Sequence, residues 1–202
     1  MKYLNGLLVL LAVSMASCSK TNEQPSKKAD IYFNSLSSEK SGLEFTNSLH
    51  QKNDLNIIEY LYYYNGGGVA LGDINNDGLD DIYLTANQSP DKLYLNLGEL
   101  KFKDITESAG LAIDSTWSSG VTMEDVNNDG LLDIYVSKIG NYKGLKAHNL
   151  LYLNQGNETF KEVSKQVGLD FSGFSTQTTF MDYDKDGDLD MYLMNCSIHT
   201  PR

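Results

Sequence analysis

The chain has 202 residues, 41% of them hydrophobic, with 27 acidic side chains against 16 basic ones and a formal charge of −11. That length suffices for one sizeable core or two small ones. The acidic balance, with no basic stripe interleaved with aromatics, speaks against phosphate-backbone binding and therefore against a nucleic-acid partner.

The N-terminus reads as a targeting segment. Met1-Lys2 gives a short basic start, and residues 7–13 form an apolar run too short to span a membrane. Met15-Ala16-Ser17-Cys18 follows. It resembles the lipobox of bacterial lipoprotein signal peptides, with Met15 where Leu is more usual. The resemblance implies a signal peptide over residues 1–17, cleavage before Cys18, and a lipid on that cysteine. The competing reading is an ordinary signal peptide with an incidental cysteine. Loss of residues 1–17 removes only Lys2 among the charged side chains, taking −11 to −12. Residues 19–30 are polar, with Pro25 and three lysines, and read as a flexible tether reaching at most ~40 Å at ~3.3 Å per residue. The lipidated cysteine and tether are assigned to 18–34, and the folded part to 35–202. Cys196 is then alone, without an intramolecular disulfide, and reads as a buried bystander thiol.

Tyr60, Tyr62, Tyr63 and Tyr64 form an aromatic cluster before the first repeat. Strand alternation would bury half of them by edge-strand packing, and the others could stack on sugar rings. Gly66-Gly67-Gly68 opens a strand rather than a phosphate-binding helix, so it reads as room for close packing.

Next comes the most informative pattern, Asp-x-Asn/Asp-x-Asp-Gly-x-x-Asp. It occurs at 73–81, 125–133 and 182–190, the copies beginning 52 and 57 residues apart. Positions 1, 3, 5 and 9 carry side-chain oxygens: Asp73, Asn75, Asp77 and Asp81, then Asp125, Asn127, Asp129 and Asp133, then Asp182, Asp184, Asp186 and Asp190. By analogy with other hard-cation loops, position 7 (Leu79, Leu131, Asp188) is expected to add its backbone carbonyl. The glycine at position 6 lets the loop fold back. Position 12 of an EF-hand would be a bidentate Glu before a helix. Here it is Leu84, Val136 or Leu193, inside a β-branched and aromatic run that reads as a strand. A flexible cage of six or seven oxygens prefers calcium to magnesium, and the loops hold no Cys or His for softer metals. Two to three structural calcium ions are therefore expected. The competing reading is a set of solvated Asp-Gly turns. Asp80 and Asp188 add carboxylates whose repulsion a divalent ion would offset.

The repeat continues past the loops. Lys92-Leu-Tyr-Leu-Asn-Leu-Gly98, Phe102–Thr106 and Ala109-Gly-Leu111 are matched by Leu150-Leu-Tyr-Leu-Asn154, Gly156, Phe160–Ser164 and Val167-Gly-Leu169. Strands are expected in the first unit at 68–71, 81–86, 92–96 and 102–106. Four antiparallel strands in about 50 residues is the arithmetic of a propeller blade. Residues 140–149 form a loop longer than its counterpart in the first unit and are the best candidate contact surface.

These paired signatures resemble FG-GAP/VCBS repeats, in particular bacterial lipoproteins of the cartilage-acidic-protein-like type that often carry a C-terminal ASPIC/UnbV segment. The resemblance covers roughly residues 35–202. It implies an all-β, integrin-α-like propeller of four-stranded blades with calcium on the blade loops, of which about two and a half blades are present here. It also implies an anchored protein of the bacterial envelope, outer membrane included, that binds a protein or glycan. The seven-bladed ring that the resemblance implies would need about 350 residues or more. The chain is thus expected to be an N-terminal fragment, the alternative being a short protein that closes a ring with other copies.

No catalytic constellation stands out. His50, His148 and His199 share no ligand spacing, no nucleophile elbow occurs, and every close carboxylate pair sits in a loop. The expectation is a non-enzymatic binding module. The alternative is the propeller portion of a polysaccharide-degrading enzyme whose catalytic residues lie elsewhere.

Overall fold

Ten strands, joined by hairpin connections within each of three sheets, make up the computed structural model, which describes residues 33–197. The signal-like segment, Cys18, most of the tether and His199 lie outside the described residues. β1 (Val69–Gly72), β2 (Asp81–Leu84), β3 (Lys92–Asn96) and β4 (Phe102–Asp104) form one antiparallel sheet in sequential order. β5 (Ser118–Glu124), β6 (Asp133–Lys138), β7 (Leu150–Asn154) and β8 (Phe160–Glu162) repeat it. β9 (Ser175–Met181) and β10 (Asp190–Asn195) form a two-stranded third sheet. Two single-turn helices, α1 (Ser38–Ser41) and α2 (Ser164–Val167), complete the described elements.

The two full sheets share one register. Ile82 faces Tyr94 and Tyr94 faces Asp104 in the first; Ile134 faces Tyr152 and Tyr152 faces Glu162 in the second. The third strand falls where the sequence places it, while the second and fourth stop short of expectation. Asp91 takes the N–H of Ala86 at 2.8 Å, which ends β2. Asp104 accepts the N–H of Thr106 at 3.0 Å in a side-chain turn, and the Thr106 hydroxyl replaces a ladder acceptor for Leu93, so β4 ends at Asp104.

Packing explains the composition of the middle sheet. Ile134 and Val136 pack toward Leu93, Leu95 and Tyr83 of the first sheet. Tyr135 turns the other way, with Leu151 and Val163, against Phe180, Met191 and Leu193 of the third. β6 is therefore buried at every position, and its polar alternation disappears. The second and third sheets approach closely at Gly120, where an added Cβ would lie 2.2 Å from the carbonyl oxygen of Thr176. In the glycine run before β1, Gly67 serves close packing as expected: a Cβ there would lie 2.0 Å from the Thr85 carbonyl oxygen.

The tyrosine cluster departs from the edge-strand expectation. Residues 61–64 form turns, and Tyr63 N–H donates to the Tyr60 carbonyl at 3.0 Å. That spacing of three, not strand alternation, buries Tyr60 and Tyr63 beside Trp117, Ile139 and Phe174 and leaves Tyr62 and Tyr64 exposed. Tyr60 meets the Trp117 ring edge-on at 5.5 Å. The segment thus caps the starts of the second and third sheets instead of extending the first.

Candidate metal centres

Each Asp-rich loop joins the first strand of a sheet to the second, and each is a tight wrap with two left-handed residues. The glycines at position 6 have φ of 86°, 85° and 100° with no atom within 4 Å of a built Cβ, so backbone conformation and not space demands them. Position 4 is left-handed as well, at Asn76, Asn128 and Lys185, with φ of 60°, 58° and 64°. Asparagine tolerates that region because its short amide bonds locally. Sequence reasoning assigned position 4 no role, although the Asn in two copies was a usable signal.

The first two loops are superposable bond for bond. Asp73 accepts the N–H groups of Asp77 and Gly78 at 3.0 and 2.7 Å, and Asp125 accepts those of Asp129 and Gly130 at 3.0 and 2.8 Å. Asn75 and Asn127 accept the Asp77 and Asp129 N–H groups at 3.2 and 3.0 Å. Asp77 and Asp129 accept the N–H of Leu79 and Leu131, both at 2.9 Å. In the third loop, Asp182, Asp184 and Asp186 offer carboxylate oxygens within 4.8 Å of one another, all on exposed side chains.

Position 9 is different in kind. Asp81 and Asp133 are buried, at 0% and 1% exposure. Each binds the backbone on both sides: Ile74 and Asn96 N–H for Asp81, at 3.0 and 2.7 Å, and Val126 and Asn154 N–H for Asp133, at 3.2 and 2.8 Å. The carboxylate therefore closes its loop and anchors the end of the third strand. Asp190 makes the loop contact to Tyr183 N–H at 3.0 Å but stays exposed, since among the described residues β10 has no third strand beside it.

The electrostatics leave room for a cation. Among the described residues, no loop carboxylate lies in an ion pair; the four pairs present are Lys92–Asp104, Lys101–Glu99, Lys138–Asp114 and Lys143–Glu59. Desolvation pushes Asp133 up to about 6 despite the amide donors of Asn154 and Val126, and the charges of Asp129 and Asp125 add to the rise. Asp81 is raised for the same reasons, desolvation first. A buried carboxylate beside others, with oxygen donors only and no basic partner, fits a hard divalent ion. Of the expected ligands, Asp182, Asp184 and Asp186 converge in the third loop, whereas Asp81, Asp133 and Asp190 stand at strand starts with oxygens engaged by backbone N–H groups.

Other expected residues lie apart from these loops. His50 and His148 are exposed. Cys196 is half-buried, lining a cleft of about 180 Å³ with Tyr60, Tyr62, Asn65, Trp117 and Thr176. In the 140–149 loop, Tyr142 and Leu145 join the aromatic cap, while Asn141, Lys143, Lys146 and His148 are exposed.

Tandem four-stranded antiparallel sheets, each entered through an acidic first loop, define a β-repeat protein of the kind that builds propeller blades. The FG-GAP-like repeat family matches residues 73–136 and 140–193, and the chain belongs to that family. It is 30% identical to cartilage acidic protein 1 of Xenopus tropicalis over 141 residues, which are 69% of this chain and 21% of that protein. The Homo sapiens protein of the same name is 30% identical over 140 residues, 68% of this chain and 20% of that protein. The chain thus spans about a fifth of the length of these curated relatives.

Proposed function

We propose that this chain is the propeller-forming part of a lipid-anchored bacterial envelope protein, that calcium holds its blade loops, and that it binds a protein or glycan. The observation that carries the calcium reading is the set of loop carboxylates without a basic partner, two of them buried. Positions 1, 3, 5 and 9 would supply side-chain oxygens and position 7 its carbonyl, giving the oxygen-rich cage calcium prefers. The ion neutralises the loop and rigidifies the turn between first and second strands; its role is structural, and the module is read as non-enzymatic. Exposed Tyr62, which lines the cleft under the cap, exposed Tyr64 and the exposed part of the 140–149 loop are the surfaces offered to a partner.

Calorimetric calcium titration tests the ligand assignment. At saturating calcium, Asp77→Ala and Asp129→Ala should each lower the stoichiometry by one ion and leave the other sites filled. Unchanged stoichiometry in both variants would overturn the assignment. The anchor has its own test: expression in a Gram-negative host should yield a mature N-terminus at Cys18 carrying a diacylglyceryl group by mass spectrometry. An unlipidated N-terminus at another residue would remove the membrane part of the proposal. Among the described residues no helix is long and apolar enough to cross a membrane.

A further inference from the structure

A run of three hydrogen bonds joins the position-9 carboxylates of the first two loops. The Ile74 N–H donates to Asp81 Oδ2 at 3.0 Å; the carbonyl of the same residue accepts Asn154 Nδ2 at 2.8 Å; and the Asn154 N–H donates to Asp133 Oδ1 at 2.8 Å. All four residues are at most 2% exposed. The second hydrogen of the Asn154 amide reaches Leu132 O, in its own loop, at 3.1 Å, and its Oδ1 accepts the Gly156 N–H at 2.9 Å. One side-chain amide therefore holds a carbonyl of each loop, with its orientation fixed by the turn beyond. A second link runs along the rims, from Asn76 Nδ2 to Gly130 O at 3.1 Å. Asn96, the equivalent residue one unit earlier, places its amide only on Asp80 O of its own loop, at 2.8 Å.

We infer that the first two loops take up their ions as a positively coupled pair, with Asn154 as the positioning residue that links them. This rests on the calcium reading above. An ion in the first loop fixes Asp81, and through the Ile74 N–H the backbone of that residue. The carbonyl on the other side of the Ile74 Cα is the acceptor that orients Asn154, whose N–H in turn orients Asp133 toward the second loop. Ordering achieved by the first ion need not be repeated for the second, and this is the physical source of cooperativity without a large movement. Repulsion between the two ions opposes the effect, but the exposed loop rims let salt screen it.

The test is a calcium titration of the full chain, followed at the amide resonances of Gly78 and Gly130, which report the two loops separately. In the unmutated chain the two signals should reach half-saturation together, with a Hill coefficient above about 1. Asp129→Ala should then weaken calcium binding at the Gly78 loop by a factor of about 5 or more. In an Asn154→Ala background that additional loss should vanish, whereas Asn96→Ala, which lacks only contacts inside its own unit, should retain it. Should Asn154→Ala fail to fold, the unmutated titration and Asp129→Ala still decide. Independent hyperbolic curves, with the Gly78 loop unaffected by Asp129→Ala, would overturn the coupling and leave the calcium sites standing. A chain that binds no calcium at all would overturn the calcium reading itself, and the coupling with it.

Discussion

Asp91 and Asn149 stand one unit apart at the start of the third strand and close the same loop. Asp91 accepts the Ala86 N–H at 2.8 Å and the Ser118 hydroxyl at 2.8 Å; Asn149 accepts the Lys138 N–H at 2.8 Å and donates to the Ser175 hydroxyl at 2.9 Å. Each thus ties its own hairpin to the first strand of the next sheet. Since the second unit does this with an amide, Asp91→Asn should cost less than about 1 kcal/mol, whereas Asp91→Ala, leaving buried donors unpaired, should cost at least about 2 kcal/mol. Desolvation, opposed by the nearby Lys138 charge and the Ala86, Ser118 and Tyr83 donors, raises Asp91 above its ordinary value of 3.8. A raised folded value means that its contribution to stability is fully present below the unfolded value and is lost as pH rises through the folded one. Asp91→Asn removes that titration, so urea unfolding in chelator should show the unmutated chain losing more stability than the variant as pH rises above 3.8. Equal losses would show that Asp91 does not titrate differently on folding. None of this was legible in the sequence. Asp91 belongs to no motif, and Asn154 read only as the end of a repeated strand signature, because a side chain that bonds a neighbouring sheet is specified by register and not by its local sequence.

Elements were easier to read than their ends. β3 runs over Lys92–Asn96 as expected, because an apolar run bounded by a Pro-Asp start and an Asn-Leu-Gly turn has few alternatives. β2 and β4 end early where Asp91 and Asp104 divert backbone donors, and the tyrosine segment turns where a strand was expected. Such endings depend on side-chain acceptors that compete with the ladder, which periodicity does not register. Of the glycines before β1, Gly67 and Gly68 are close-packing residues as read, while Gly66 has open space and a left-handed φ of 84°; Gly120 makes a further close contact, between the second and third sheets. Gly120→Ala would drive a Cβ against the Thr176 backbone. Overpacking of this kind should cost about 2–3 kcal/mol in urea unfolding, with loss concentrated where β5 meets β9. A cost near zero would mean the second and third sheets can slide apart freely.

For the whole molecule, the repeat was legible because three loops recur in register with strand signatures between them, and the FG-GAP-like family match covers the same region. The cross-unit order was not. The middle sheet is buried on both faces, the N-terminal tyrosines cap its neighbours, and the first two loops are joined through Ile74 and Asn154. A repeat so connected concentrates negative charge at one end of successive sheets, where the account places its ions. Calcium in these loops is decided first by a thermal melt of the chain in calcium, in magnesium and in chelator, paired with a count of bound calcium. A rise in Tm specific to calcium, with two to three ions bound, is expected; a folded chain whose Tm ignores calcium would leave the Asp-rich loops as solvated turns.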